Sequence, residues 1–416
     1  MMASFQFLHC ADLHIDSPLR GLEADPDAPA DRIRRATRDA FIALVDYAIE
    51  ERVAFVLAAG DLYDGNWHDW RTGQFLVSQV GRLSRADIPF IAIRGNHDAE
   101  SNMTRHLDLP RPAQLLSYTR PETVRLSRWN VAIHGQSFRT REVTENLAAT
   151  YPPPDPGTLN IGLLHTAVDG REGHAPYAPC TIEQLRNHGY DYWALGHVHK
   201  PDVLSNNPWI VFPGNIQGRH AGEIGAKGAM LVTVQNGRIV ERPEFKVFDK
   251  VRWARIEVDL TEADNEDAAL ALIRARIASA LADADGNLLA ARIVMTGTTL
   301  AHAALGRDPE ATREKVRAEA LALAGVDAIW TESVSVRTTE PKTTGEPPGL
   351  LVEKIDALDP AELQPAIADY AKRMLDRAGL REALGDHPAV QAARAELAPD
   401  LLERARALLL LRLAEE

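Results

Sequence analysis

Short β-type runs alternating with helical stretches over residues 1–245 predict a two-sheet α/β domain. A change of texture at residue 246 predicts a small α+β unit behind it, and an amphipathic helical character over 350–416 adds a C-terminal segment. The runs read as strands are "FQFLHC", "FVLAAG", "PFIAIRG", "NVAIHG", "NIGLLH", "YDYWALG", "IVFPG" and "AMLVTV". Each is rich in Val, Ile, Leu or Phe and is bounded by Gly, Asn or Asp. Between the first two, a helix starts near Ala30, and Ile33, Ala40, Phe41, Leu44, Val45 and Ala48 keep the 3.6-residue period. "TVQNGRIVE" sets Asn-Gly between two strands, a hairpin signal. Early segments therefore read as βαβ units and later ones as strand after strand.

The second unit, 246–337, reads as the strand "RWARIEVDL", a helical stretch over 264–284, the strand "NLLAARIVMTG", a helix over 308–324 and the strand "IWTESVSVRT". "TTEPKTTGEPPG", 338–349, is rich in Pro, Gly and Thr and reads as a linker. No internal repeat is visible.

A chain of 416 residues with 45% hydrophobic and 25% charged residues has the make-up of a multidomain globular protein. No apolar run approaches the roughly 18–20 residues that span a bilayer, so no membrane partner is expected. The start "MMASFQFLHCADLH" lacks a basic-then-apolar leader pattern. Cys10 and Cys180, the only cysteines, are too few for a disulfide framework or a thiolate metal cage, and a cytoplasmic location is the expectation. The net charge of −13 argues against a protein that coats nucleic acid with a basic surface. It leaves room for a nuclease whose bound ions supply positive charge locally. Arginine far outnumbers lysine. Genome composition explains that blandly; the sharper reading is that Arg94, Arg139 and Arg219 grip phosphate in bidentate fashion.

Five segments share one arrangement, an apolar strand that ends abruptly in Asp, Asn or His. They are "HCADLH" with Asp12 and His14, "AAGDLYD" with Asp61 and Asp64, "RGNHD" with Asn96, His97 and Asp98, "LLHT" with His165, and "LGHVHK" with His197 and His199. Ligands of α/β sheets sit beyond the carboxyl ends of strands, so five such ends can meet at one crevice. Alternation along an extended chain puts Asp12 and His14 on one side, able to share one ion, while His197 and His199 reach two adjacent ions. Asp12, His14, Asp61, Asn96, His165, His197 and His199 are seven O/N donors, too many for one tetrahedral ion. They suit two cations about 3.5–4 Å apart, bridged by a carboxylate, with Asp61 the natural bridge. Without a thiolate the set favours Mn²⁺ first, with Fe²⁺ or Zn²⁺ as alternatives.

The order DxH, GDxxD, GNHD, H, GHxH resembles the calcineurin-like metallophosphoesterase superfamily. "LHCADLHIDSPLRGL", "AGDLYDGNW", "IRGNHDAES", "AIHGQSF", "DGREGHAPYAPC", "YDYWALGHVH" and "PGNIQGRH" resemble more closely its bacterial DNA-repair exonuclease branch, of the SbcD and YhaO type. The resemblance covers residues 4–245 and becomes one of layout beyond 250. It implies an α/β/β/α sandwich with a capping α+β unit. One metal would be held by Asp12, His14, Asp61 and His199, the other by Asp61, Asn96, His165 and His197. His97 would be no ligand but would sit over the scissile phosphate. Asp64 departs from the archaeal and eukaryotic relatives, which tend to carry a histidine there.

That assignment is chemically coherent. Asn96 offers a neutral oxygen and leaves its ion more electropositive than a carboxylate would. In-line hydrolysis of a phosphoester leaves a sugar oxygen in need of a proton, which His97 can supply, with Asp98 holding its ring. Asn215, Arg219 and His220 follow the GHVH strand and are candidates to touch substrate phosphate. "DGREGHAPYAPC", 169–180, reads as a flap in which His174 is either functional or structural, and Cys10 as a small buried group. The expected function is a metal-dependent DNA phosphodiesterase, exo- or endonucleolytic, active in DNA repair. The alternative is a small-molecule phosphodiesterase or phosphomonoesterase with the same centre, since fold and metals do not choose the substrate. A scaffold without activity would have no reason to keep the full donor set and His97. The layout implies an SMC-like ATPase partner gripped by the 350–416 tail, although "LLERARALLLLRLAEE" also reads as a helix docked on its own domain. Pairing of two copies as a homodimer stays open.

Overall fold

The computed structural model describes residues 4–18, 28–64, 70–99, 108–169 and 177–341. The expectations for residues 342–349 of the linker, the 350–416 tail and His174 lie outside them. Strands β1 (Phe5–Cys10), β2 (Val56–Ala59), β3 (Phe90–Ile93) and β4 (Gln114–Leu115) run parallel in that spatial order. The chain then lays a second sheet from β5 (Glu122–Leu126), β6 (Val131–Gly135), β7 (Leu159–His165), β8 (Tyr192–Gly196), β9 (Asp202–Asn206) and β10 (Trp209–Phe212), ordered β5-β6-β7-β8-β10-β9. It returns to the first sheet with β11 (Gly228–Gln235), antiparallel to β1, joined by β12 (Arg238–Ile239) and β13 (Glu244–Val247). Asn236 and Gly237 turn the β11–β12 hairpin with φ of +53° and +73°, as its type requires.

Three apolar layers fix the stack. Phe7, Phe55, Leu57 and Ile91 meet Ile133, Ile161, Leu163 and Tyr192 between the two sheets. Helices α1 (Ala30–Glu50) and α2 (Trp70–Arg85) cover the outer face of the first sheet through Phe41, Leu44, Leu76 and Val80. After the short α3 (Asn96–Ala99), α4 (Ile182–Asn187) covers the second sheet through Leu185 against Trp193. The result is the expected α/β/β/α sandwich. Helix α1 starts at Ala30 and buries the stripe expected from its period. Helix α2 is hidden in the sequence, because Gly73 and Gly81 are weak helix formers that tertiary packing overrides.

Residues from β14 (Val251–Asp259) onward form a parallel three-stranded sheet with β15 (Leu288–Thr296) and β16 (Ile329–Val336). Helices α5 (Glu266–Asp283), α6 (His302–Arg307) and α7 (Pro309–Ala324) connect them and share a core of Ile256, Ile273, Ile293 and Val316. This part and the sandwich belong to one compact unit, Met1–Glu340. Trp253 and Trp330 pack with Ile33 and Ala36 of α1. No described helix is long and apolar enough to cross a membrane.

Candidate metal centre

β1, β2 and β3 are parallel neighbours in one sheet, and β7 and β8 in the other. Their carboxyl ends therefore open on the same side, and the five motifs follow them. The sequence places Asp12 and His14 on one side by extended alternation; the structure does it otherwise. β1 ends at Cys10, and Asp12, His14 and Asp61 turn back in left-handed conformations with φ of +51°, +41° and +52°. His197 has φ of +102°. Such backbone costs roughly 1–2 kcal/mol per residue and gathers at functional sites. Two glycines permit the approach of the loops. A Cβ on Gly95 would lie 2.2 Å from Asp61 Oδ1, and one on Gly196 would lie 1.9 Å from the Ala59 carbonyl oxygen.

The side chains of the expected ligands converge in two overlapping groups, and His14 meets Asp64 and His97 in a third. Ligand atoms of Asp12, His14 and His199 lie within 4.8 Å of one another, as do those of Asp12, Asp61 and His165. Asp61 Oδ2 stands between the groups, 3.8 Å from His14 Nε2 and 3.5 Å from His165 Nε2. His14 Nε2 and His199 Nε2 are 3.3 Å apart, and Asn96 Oδ1 is 2.9 Å from His165 Nε2. The His197 ring lies against the rings of His165 and Tyr177, 5.2 and 5.5 Å between centroids. Its backbone N–H donates to both oxygens of Asp12, at 3.1 and 3.0 Å.

These atoms are acceptors facing acceptors. His165 Nδ1 donates to the Ala59 carbonyl at 2.8 Å and His199 Nδ1 to Glu223 Oε1 at 2.7 Å, so each ring turns a bare Nε2 inward. Burial holds His14 and His165 down to about 3, hence neutral. Burial, and then the nearby Asp61 charge, pushes the Asp12 carboxyl well above its ordinary range. Neutral imidazoles, an amide oxygen and two crowded buried carboxylates repel one another unless cations lie among them. The donor set fits divalent metal ions.

The carboxylates around the donors depart from expectation. Asp98 does not hold the His97 ring. Its buried carboxylate accepts the backbone N–H groups of Leu62, Tyr63 and Gly95 at 3.1, 3.0 and 2.9 Å, stapling the "GDLYD" loop to the "GNHD" loop. The carboxylate on the His97 ring belongs to Asp64, with Oδ1 2.6 Å from Nδ1. Adjacency in sequence favours Asp98; the fold brings in a residue from another strand end. Burial alone would lower His97, but the Asp64 hydrogen bond and the charges of Asp61 and Asp64 together outweigh it and raise the imidazole above its usual value. Burial alone would raise Asp64, but the neighbouring His14 imidazole, 3.6 Å away, and the hydrogen bond with His97 hold it below the carboxylate range.

The three substrate candidates divide. Asn215 is fully buried and donates to the Gln217 carbonyl at 2.8 Å and to Glu223 Oε2 at 2.9 Å, so it supports the loop instead of meeting substrate. Arg219 is turned inward, 2.8 Å from Glu223 Oε1 and 3.5 Å from Asp64 Oδ2. His220 is exposed, with its Nδ1 accepting the Gly222 N–H. Glu223 has no signal in the sequence. It stands 24 residues past His199 with no motif around it, and only the fold puts it behind that ring.

Residues 5–201 match the family described as calcineurin-like phosphoesterase, and residues 253–339 match the middle domain of metallophosphoesterase YhaO. The chain is 36% identical over 302 residues to an uncharacterized metallophosphoesterase YhaO of Bacillus subtilis (strain 168), covering 72% of this chain and 73% of that protein. It is 26% identical over 217 residues to the DNA double-strand break repair protein Mre11 of Sulfolobus acidocaldarius, covering 50% of this chain and 54% of that one. The Mre11 protein of Sulfurisphaera tokodaii gives 26% over 268 residues, 59% of this chain and 66% of that one. The chain thus belongs to the calcineurin-like metallophosphoesterases, in the branch that holds the Bacillus subtilis YhaO protein.

Proposed function

We propose that this phosphoesterase is a DNA phosphodiesterase working in DNA repair, with a pair of Mn²⁺ ions as its metals. The observation that carries the reading is the likeness, over 50% and 59% of this chain, to two proteins named for DNA double-strand break repair. When bound, the ions lower the pKa of water and neutralise the phosphoryl oxygens. Asp12, His14, Asp61 and His199 would hold one, and Asp61, Asn96, His165 and His197 the other. Asp61, whose Oδ2 stands 3.8 Å from His14 Nε2 and 3.5 Å from His165 Nε2, would serve both. Asp64 holds Nδ1 of His97, which leaves Nε2 to give a proton to the departing sugar oxygen. The raised basicity of the ring keeps that proton available near neutral pH. The neutral Asn96 leaves its ion a stronger Lewis acid than a carboxylate would.

The proposal extends to an SMC-like ATPase as partner of the 350–416 segment, supported by the order of segments along the chain and open to a pull-down. The decisive assay adds Mn²⁺ to the protein with single-stranded DNA, duplex DNA, bis-p-nitrophenyl phosphate and a phosphomonoester. Cleavage of DNA is the expected result. Hydrolysis of the small diester with intact DNA, alone and with the cognate ATPase, would reject the reading in favour of a small-molecule substrate.

A further inference from the structure

The rim that bears the metal ligands continues past them. β3 and β4 are parallel and both end there, β6 ends there beside β7, and β5 begins there with Glu122 opposite Gly135. Three loops are tied together at this place. The Arg94 N–H donates to Ser137 Oγ at 2.9 Å, the Ser137 N–H to the Ser117 carbonyl at 2.9 Å, and the Phe138 N–H to the Arg94 carbonyl at 3.0 Å. The Phe138 ring stands edge-on to candidate ligand His165, 5.4 Å between centroids. The tied loops present Tyr118, 43% exposed, with the Arg94 guanidinium 5.3 Å from its ring centroid. Arg120, Arg139 and Arg141 are exposed on the same loops. The nearby Glu122 carboxylate is engaged by the Ser117 N–H at 2.8 Å.

An accessible aromatic ring braced by one arginine and flanked by three more is unexpected on a chain of net charge −13. It is also close to the chemistry. Arg94 lies two residues before Asn96 and three before His97, so their Cα atoms are within about 7 and 11 Å. Arginines match phosphate, and an aromatic face stacks a base. A base inside a duplex has both faces covered by its neighbours, so a single exposed ring selects an unpaired one.

We infer that this rim binds single-stranded polynucleotide, with Tyr118 stacking a base near the scissile phosphate and Arg94, Arg120, Arg139 and Arg141 following the backbone. The inference rests on the DNA reading above and adds a strand preference to it. The test is anisotropy titration of labelled single-stranded and blunt duplex oligonucleotides across a salt series, with Tyr118→Ala, Tyr118→Phe and the double variant Arg120→Ser/Arg139→Ser. Tyr118→Ala should lose on the order of ten- to a hundredfold in single-strand affinity, and Tyr118→Phe should restore it. The double variant should flatten the salt slope by about 0.7 for each phosphate that is no longer neutralised. In cleavage assays the ratio of DNA turnover to bis-p-nitrophenyl phosphate turnover should fall. If the wild type binds single strands and the variants match it in affinity and slope, the inference fails while the DNA reading stands. Equal losses on blunt duplex would also overturn it. So would a change of Tyr118→Ala from dimer to monomer with DNA affinity intact, which would make the patch a self-association surface. A wild type that binds no DNA defeats the reading beneath.

Discussion

Glu223 is the sharpest place to test how this centre is held. One oxygen lies 2.7 Å from His199 Nδ1 and 2.8 Å from Arg219 Nη2. The other accepts the Asn215 amide at 2.9 Å and the Arg219 backbone N–H at 2.8 Å. Glu223→Ala removes the group that fixes the tautomer and angle of His199. Loss of such a partner costs about ten- to a hundredfold in metal affinity, or about 1.4–2.8 kcal/mol. The same change strips its nearest carboxylate from Arg219, which is only 14% exposed. A fully buried charge left alone costs about 3–5 kcal/mol. Residual exposure and Asp64 at 3.5 Å put the expectation near the lower end, about 3 kcal/mol. Glu223→Gln keeps an oxygen for His199 and the volume of the side chain, so about tenfold or less should be lost in affinity. The assay is calorimetric titration of Mn²⁺ into metal-free protein, with a melting curve for each variant. One of two binding events should weaken, more in Ala than in Gln. Two ions bound by Glu223→Ala with wild-type affinity would refute this role for Glu223.

Three further outcomes follow from the same geometry. His97→Asn should keep both ions in a metal titration and lose about 10²–10⁴-fold in DNA turnover, with a smaller loss on nitrophenyl esters, whose leaving group needs no proton; loss of metal would show the role is misassigned. Asp98→Ala leaves three buried backbone N–H groups without their acceptor and should cost about 3 kcal/mol or more in denaturant melts. Unchanged stability with lost turnover would return Asp98 to the catalytic role that the sequence suggests. His9 is fully buried between the Tyr192 hydroxyl and the Leu195 carbonyl, and burial lowers it to about 3 despite that carbonyl. Its folded value is below its unfolded one, so the unfolded chain takes the proton first. Stability should fall as pH drops from about 6.5 towards 3, by about 1.4 kcal/mol per pH unit for this group. The non-titrating His9→Gln should flatten that acid limb in metal-free protein, and an identical limb would disprove the attribution.

The legible part of this protein is the part written in local code. Strand ends, Asn236-Gly237 and the stripe from Ile33 to Ala48 each depend on residues adjacent in sequence or one helical turn apart. The meeting of Asp12, His14, Asp61, His165 and His199 is legible because a sheet forces every parallel strand to finish on the same side, so a one-dimensional list of endings becomes a crevice. What holds the donors is not legible for the opposite reason. Asp64 reaches His97 across 33 positions and Glu223 reaches His199 across 24, and neither distance is a period of anything. Asp98 shows the limit from the other side: it is adjacent to His97, its chemistry suits the ring, and the fold uses it to bind two loops together. The left-handed turns at Asp12, His14 and Asp61 argue the same way. Alternation groups Asp12 with His14 correctly through the wrong geometry, because motif spacing constrains which side chains meet but not the backbone path that brings them there. In a candidate metal centre, then, the side chains that meet can be read from spacing, whereas the groups that aim them must be read from the folded arrangement, and it is on one of those that the Glu223 variants act.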